Sequence, residues 1–199
     1  MLLLMPLAPV KADEGMWLLP LLEKMNSGKM TELGFEITPQ QIYDINNSSL
    51  KDAIVIFGGG CTGEIVSDQG LLFTNHHCGF GTIQSLSSVE HNYLRDGYWA
   101  LSLDEELPAP GLSVRFLESF TDVTADVNKA LAKAKTPEDK EKAMTKLENK
   151  LAKKAGCDGK FVVGGINSFY GGNTYYFIVY KVFRDVRFVG APPQAIGKF

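Results

Sequence analysis

The chain carries its most distinctive sequence at Gly70-Leu71-Leu72-Phe73-Thr74-Asn75-His76-His77-Cys78-Gly79. An apolar run leads there into two adjacent histidines and a cysteine, so we predict a strand that ends at the histidines. The end of a strand holds an imidazole on a rigid element, and a disulfide at the neighbouring cysteine would fix it further. An imidazole held in this way can act as the general base for a serine nucleophile.

A second cysteine, Cys61, lies upstream of this segment. Residues 61–67 and 70–75 read as the two strands of a β-hairpin, joined by a Ser-Asp-Gln-Gly turn at residues 67–70. Cys61 and Cys78 each lie near one end of that hairpin, so we predict that they form a disulfide. Cys157 is then left without a partner within the chain.

His77 fits the general base better than His76 does. It directly precedes Cys78, so a disulfide there would fix its backbone. Neighbouring side chains on a strand point to opposite faces, and we therefore expect His76 to face away from His77.

Three other roles for this segment stay open. The two histidines, Cys78 and Cys61 could bind zinc, although zinc ligands usually stand two to four residues apart on turns. Cys78 could be a catalytic thiol paired with His77 or His91, although such cysteines normally lie at a helix N-terminus without a disulfide partner. The histidines could also be structural, with backbone carbonyls as their partners.

Two further motifs are not interpreted as binding or catalytic sites. The glycines at residues 58–60 are followed by no Lys-Ser or Lys-Thr, so we predict a turn and not a phosphate-binding loop. The acidic residues 104–106 are adjacent on a loop and lack the defined separation of glycosidase carboxylates, so we interpret them as surface charge.

Composition places the chain among globular proteins, with 199 residues, 45% of them hydrophobic and 22% charged. A net charge of -3 gives no reason to expect nucleic acid or an anionic membrane as a partner.

Residues 1–12 are apolar, too short to span a bilayer, and end in the small residues Val10 and Ala12, so we predict the remnant of a signal peptide. Export to the periplasm, the cell surface or the medium would permit a disulfide.

The remaining pattern predicts a mainly β fold with helical additions. We expect a helical hairpin at about residues 122–156, with Thr136 as N-cap and acidic residues interspersed among its lysines, which is typical of a solvated surface. The chain ends in a loop that suggests a truncated protein. The other expected elements are helices at 15–28 and 81–101, strands at 53–57, 112–117 and 173–183, and a loop at 190–199.

The chain resembles the bacterial dipeptidyl-peptidases of serine peptidase family 46, the group that contains dipeptidyl-peptidases 7 and 11. The matching motifs are Ala12-Asp13-Glu14-Gly15-Met16-Trp17, Ser49-Leu50-Lys51-Asp52-Ala53, Gly59-Gly60-Cys61-Thr62-Gly63-Glu64, Thr74-Asn75-His76-His77-Cys78-Gly79, Glu90-His91-Asn92-Tyr93-Leu94, Phe169-Tyr170-Gly171-Gly172-Asn173 and Val189-Gly190-Ala191-Pro192-Pro193. They follow one another over nearly all of residues 13–199, and Asp13 matches the region where the family's mature proteins begin.

The resemblance implies part of a chymotrypsin-like double β-barrel, incomplete in this chain, that releases dipeptides from peptides with a free N-terminus. His77 matches the family's catalytic histidine, and Cys61 with Cys78 match the adjacent disulfide. No cofactor or metal is implied. For the full-length parent we expect a homodimer.

The aspartate and serine of the family's triad match nothing in this sequence, and the resemblance places both beyond Phe199. We therefore predict that the 199-residue chain is inactive alone. The alternative is a secreted, β-rich binding module without catalysis. Its incomplete sheet would leave an edge prone to aggregation.

Overall fold

The computed structural model describes residues 18–25 and 27–197. The predicted signal-peptide remnant at residues 1–12 lies outside the described residues, as does the start of the helix predicted at 15–28. Within the described range no helix combines the length and apolar character needed to cross a bilayer.

Ten strands and eight α-helices make up the described fold. The strands are β1 Ile54–Phe57, β2 Cys61–Ile65, β3 Leu72–Thr74, β4 Tyr98–Trp99, β5 Leu107–Pro108, β6 Val114–Asp122, β7 Val162–Phe169, β8 Thr174–Phe183, β9 Arg187–Phe188 and β10 Gly190–Ala191. The α-helices are α1 Leu22–Met25, α2 Ser27–Glu32, α3 Pro39–Ile42, α4 His76–Leu86, α5 Tyr93–Asp96, α6 Thr124–Leu131, α7 Pro137–Lys154 and α8 Gln194–Gly197. Short 3-10 helices lie at Leu19–Leu21, Leu50–Ala53, Leu103–Glu105 and Tyr170–Gly172.

A single antiparallel sheet of six strands organises the fold, in the order β3-β2-β1-β6-β8-β7. The predicted hairpin is present as β2 and β3, and the glycines at 58–60 form the turn between β1 and β2. Two small sheets, β4 with β10 and β5 with β9, lie outside the large one. The predicted mainly β fold with helical additions is confirmed.

Two clusters of buried side chains pack against the large sheet. The first, near the β2–β3 hairpin, is built on Val55, Phe57 and Val114, and the cysteines at 61 and 78 pack against it. The second is built on Val123, Val127, Phe177 and Val179 and is covered by apolar side chains of α6 and α7. The two helices therefore cover one part of the sheet, and the disulfide region lies at another.

The helices α6 and α7 fill the range in which a helical hairpin was predicted. The hydroxyl of Thr136 accepts a hydrogen bond from the Asp139 backbone N–H at 3.1 Å, as its predicted N-cap role requires. From α7 the carboxylate of Glu148 accepts a hydrogen bond of 2.8 Å from the Ile166 backbone N–H. Ile166 belongs to β7, the strand at one end of the sheet, so this carboxylate occupies a donor on an edge strand.

The helix predicted at residues 81–101 is wrong in both bounds, because α4 begins at His76 and ends at Leu86. Polar side chains that bond to nearby backbone end it. The Ser87 hydroxyl donates to the carbonyl of Ile83 at 2.8 Å, and the Asn92 side chain accepts from the Arg95 N–H to begin α5. Val89, which the helical pattern used as an apolar position, is fully exposed.

Two other expectations need correction. The helix predicted at 15–28 is broken, where described, into a 3-10 turn with Pro20 in its first turn, then α1 and α2. Residues 190–197 form β10 and α8, where a loop was expected. Gly190 pairs with Trp99, so the segment is part of a small sheet.

Candidate active site

The two histidines lie in the first turn of α4. Asn75 is the extended N-cap residue, with φ -68° and ψ 144°, and His76 is the first helical residue. The Cys78 backbone N–H donates to the carbonyl of Asn75 at 2.9 Å. The predicted strand therefore stops at Thr74, and neighbouring side chains diverge by about 100° around a helix axis instead of pointing to opposite faces.

The disulfide predicted from the sequence is present. Cys61, the first residue of β2, is bonded to Cys78 in the first turn of α4, with the two Cα atoms 6.1 Å apart. Both cysteines pack against the buried cluster of Val55, Phe57 and Val114. The start of α4 is thus fixed covalently to the sheet.

The β2–β3 hairpin supports the same region by close packing. The Thr74 hydroxyl donates to the carbonyl of Thr62 at 2.6 Å. A Cβ atom on Gly63 would lie 2.9 Å from Cδ2 of Leu72, so the leucine side chain packs directly over the glycine and would have to shift if a larger residue stood there. The last residue of β3, and with it the entry into α4, is therefore held on two sides.

The His77 imidazole is exposed beside the disulfide. One ring nitrogen lies within 4.8 Å of both sulfur atoms. Among residues 18–25 and 27–197, no side chain or backbone group forms a hydrogen bond with this ring. Both ring nitrogens are thus without a partner in the described part of the chain.

His76 has a different environment. Its Nε2 atom is buried and has no hydrogen-bond partner among the described residues. The ring meets Phe80 edge-on with centroids 6.3 Å apart, and Gly197 of α8 lies directly against it. The sequence pattern missed this arrangement, because α8 is remote from α4 along the chain and nothing local signals their contact.

Two roles suggested by the sequence, a catalytic thiol at Cys78 and a zinc site, both depend on the state of the cysteines. Cys78 does lie in the first turn of a helix, where a thiolate would be stabilised, but its sulfur is bonded to Cys61. Cys61, His77 and Cys78 form the group of possible metal ligands in the described part of the chain. With both sulfurs in a disulfide, that group offers only the imidazole as a ligand.

The other sequence candidates do not belong to this group. His91 stacks on Tyr93 with centroids 6.2 Å apart. Cys157 is a free, half-buried thiol whose pKa is raised by burial and by the charge of Asp158. Glu105, interpreted as surface charge, also accepts a 2.7 Å hydrogen bond from the Leu101 backbone N–H and so orders its loop.

Comparison with known proteins gives consistent matches over almost the whole chain. The family model described as Peptidase S46 matches residues 12–199. Dipeptidyl-peptidase 7 of Porphyromonas endodontalis is 50% identical over 188 residues, which cover 94% of this chain and 23% of that protein. The Asp/Glu-specific dipeptidyl-peptidase of the same organism is 49% identical over 194 residues, covering 94% and 27%. The chain spans about a quarter of the length of the curated relatives it matches.

A solved structure extends the likeness to the fold. The crystal structure of Porphyromonas endodontalis DPP11 in complex with the dipeptide Arg-Glu matches with a TM-score of 0.87 and 48% identity. The match covers 94% of this chain and 27% of that one. The six-stranded antiparallel sheet with its helices is consistent with the expected incomplete part of a chymotrypsin-like double β-barrel.

Proposed function

Because this chain belongs to the peptidase S46 family, we propose that it is part of a serine-type dipeptidyl-peptidase and that His77 is its general base. Such an enzyme releases dipeptides from peptides with a free N-terminus. The relatives' names support the reaction class, and the dipeptide bound in the DPP11 crystal structure supports a peptide substrate. The observation that carries the role of His77 is its exposed ring in the first turn of α4, beside the disulfide.

In this proposal His77 first accepts a proton and then donates one. Its imidazole accepts the proton of the serine hydroxyl as the oxygen attacks the scissile carbonyl, and it returns a proton to the leaving amine. A carboxylate on the second ring nitrogen would hold the ring in the required tautomer. The serine and the carboxylate come from parts of the protein outside these 199 residues.

The surroundings of His77 suit a base that must be placed accurately. Its backbone belongs to a helix, the next residue is bonded to β2, and the sulfurs pack on a buried cluster. A catalytic group whose support cannot shift keeps its distance to the nucleophile. The disulfide also favours an oxidising compartment, so we propose that the protein is exported to the periplasm, the cell surface or the medium, with residues 1–12 as the signal-peptide remnant.

The test requires a protein of the relatives' length that contains these residues. We expect it to release dipeptides from reporters with a free N-terminus and not from the same reporters with a blocked one. His77→Ala should lower kcat by at least about 10³-fold. His91→Ala is the matched control, because His91 is exposed, stacks on Tyr93 and is not among the groups beside the disulfide, and it should retain activity. Full activity of His77→Ala would overturn the assignment.

The 199-residue chain should itself be inactive, since a base without its nucleophile and oxyanion donors retains almost none of the rate enhancement. A binding module without catalysis is the second candidate, favoured by the lack of any hydrogen-bond partner for His77 within the described part of the chain. It would be supported if the longer protein bound peptides but did not cleave them. Homodimer formation by the longer protein stays a prediction.

A further inference from the structure

The disulfide and the His77 ring bring three metal-binding atoms together. The sulfurs of Cys61 and Cys78 and one nitrogen of His77 all lie within 4.8 Å of one another. In a tetrahedral zinc site, bonds of about 2.3 Å to sulfur and about 2.0 Å to nitrogen place such ligand atoms roughly 3.5–3.8 Å apart. The imidazole nitrogen is therefore within about 1 Å of the spacing from sulfur that zinc requires.

The helical start of α4 allows His77 and Cys78 to share a ligand set. On a strand, the side chains of two neighbouring residues would point to opposite faces. In the first turn of α4 they diverge by about 100°, and both reach the sulfur of Cys61 at the start of β2. Ligand atoms from a strand and from a helical turn thus converge on one point.

The side chain of His77 is able to make the small adjustment that a metal would need. It is exposed, and within the part of the chain that the structure describes no hydrogen bond fixes its ring. Rotation about its side-chain bonds can therefore move the nitrogen while the helix stays in place. Neither Cys61 nor Cys78 is fully buried, so the site is open to solvent on the side of the imidazole.

We propose that reduction of the disulfide between Cys61 and Cys78 creates a zinc site made of two thiolates and the His77 imidazole. The proposal rests on the proposed function of His77 and adds a way to switch that base off. A dithiol supplies two electrons and two protons, the S–S bond breaks, and the dithiol becomes a disulfide while both cysteines become thiols.

Zinc then binds to the reduced group. It displaces one proton from each thiol and accepts the lone pair of the neutral imidazole. A neutral imidazole has one lone pair that can take a proton, so His77 bound to zinc cannot act as a general base. Three protein ligands leave a fourth position for water, and thiolate ligands favour zinc over magnesium or calcium.

Zinc binding by the longer protein tests the site without reference to activity. The protein is reduced with dithiothreitol, desalted in the absence of oxygen and dialysed against Zn²⁺. We expect the reduced protein to bind about one more zinc ion per chain than the oxidised protein does. Co²⁺ in place of Zn²⁺ should give thiolate-to-metal charge-transfer absorption in the reduced protein only.

Three variants assign the ligands. The double substitution of Cys61→Ser and Cys78→Ser should abolish the additional zinc ion, and His77→Ala should weaken its binding at least about ten-fold. Cys157→Ser is the matched control, because Cys157 is a free thiol outside this group, and it should bind zinc as the wild type does.

Kinetics and thermal unfolding complete the test. Zinc should lower kcat of the reduced protein at least about ten-fold, a chelator should restore it, and zinc should raise the Tm of the reduced protein. Equal zinc binding by the reduced and oxidised proteins would overturn the proposal, and so would a reduced protein that unfolds and is not restored by zinc. Activity that survives His77→Ala would refute the proposed function alone, because zinc binding would still decide the site.

Discussion

Gly164 in β7 and Phe177 in β8 are so close that a Cβ atom on Gly164 would lie 2.7 Å from Cζ of Phe177. They are diagonal neighbours, since Gly164 pairs with Val179 and Phe177 pairs with Ile166. Phe177 is buried in the cluster beneath α6 and α7, and the Cys157 sulfur lies 3.0 Å from the same Cβ position. The close packing of α6 and α7 on the sheet therefore requires glycine at position 164.

Gly164→Ala should destabilise the protein, because the phenylalanine ring is buried and has little room to move. Overpacking of this kind typically costs about 1–3 kcal/mol. Gly165→Ala is the matched control one residue further along β7, where the Cβ atom would be 3.6 Å from the nearest atom, an Oε2 of Glu148. Urea unfolding of both variants measures the difference, and equal stabilities would contradict the packing described here.

The disulfide between Cys61 and Cys78 closes a loop with a sequence separation of 17 residues. The chain-entropy treatment assigns a loop of this size about 3 kcal/mol. We expect the double substitution of Cys61→Ser and Cys78→Ser to lower the free energy of unfolding by about that amount. A reductant should lower the stability of the wild type in the same way and leave the double variant unaffected; a variant that still responded to reductant would speak against this disulfide.

Val127 is the one residue of its cluster with no exposed surface, and it joins α6 to the sheet. Val127→Ala removes buried methyl groups and leaves a cavity, so we expect a loss of about 2–3 kcal/mol in the free energy of unfolding. Val89→Ala makes the same chemical change at a fully exposed position and should alter stability by less than about 0.5 kcal/mol. Thermal unfolding of the two variants tests the contrast.

Asp158 organises the connection between α7 and β7. One oxygen of its carboxylate accepts hydrogen bonds from the backbone N–H groups of Lys160, Phe161 and Val162 at 2.7 to 2.9 Å. These bonds lower the pKa of the carboxyl below its ordinary value. The bond from Val162 has the largest effect, and the bond from Lys160 has the next largest. The charged form is thereby favoured in the folded protein.

The lowered pKa of Asp158 gives a stability contribution with a defined pH dependence. It is fully present above the unfolded-state pKa of about 4 and is lost as the pH falls through the folded-state pKa. Asp158→Asn should therefore be less stable than the wild type at pH 7, and the difference should shrink below about pH 4. Asp104→Asn, at an exposed residue, is the control. A difference that did not depend on pH would contradict this role.

The sequence predicted those elements whose signals are local. The β2–β3 hairpin follows from two apolar runs around a Ser-Asp-Gln-Gly turn, and α7 begins where Thr136 and Pro137 form a capping sequence. The start of α4 was misplaced because an apolar strand runs directly into the histidines. Asn75, a residue type favoured at helix N-caps, was the signal that could have corrected it.

The surroundings of the histidines could be predicted only in part. Proximity in the hairpin was enough to pair Cys61 with Cys78 and to select His77 as the candidate base. The contact of His76 with Gly197 joins two remote parts of the chain, and no periodicity or turn motif encodes it. In the sequence, Gly197 predicts only a turn or a loop, and its contact with the His76 ring is visible only in the structure.

The bond from Ile166 to Glu148 has a consequence for the direction in which the sheet can grow. At the β7 edge an incoming strand would have to displace a carboxylate from a main-chain donor. At the other edge, within the described residues, β3 has β2 as its neighbour on one side only. The β3 edge, which ends three residues before His77, has no such side-chain acceptor on its main chain within the described residues.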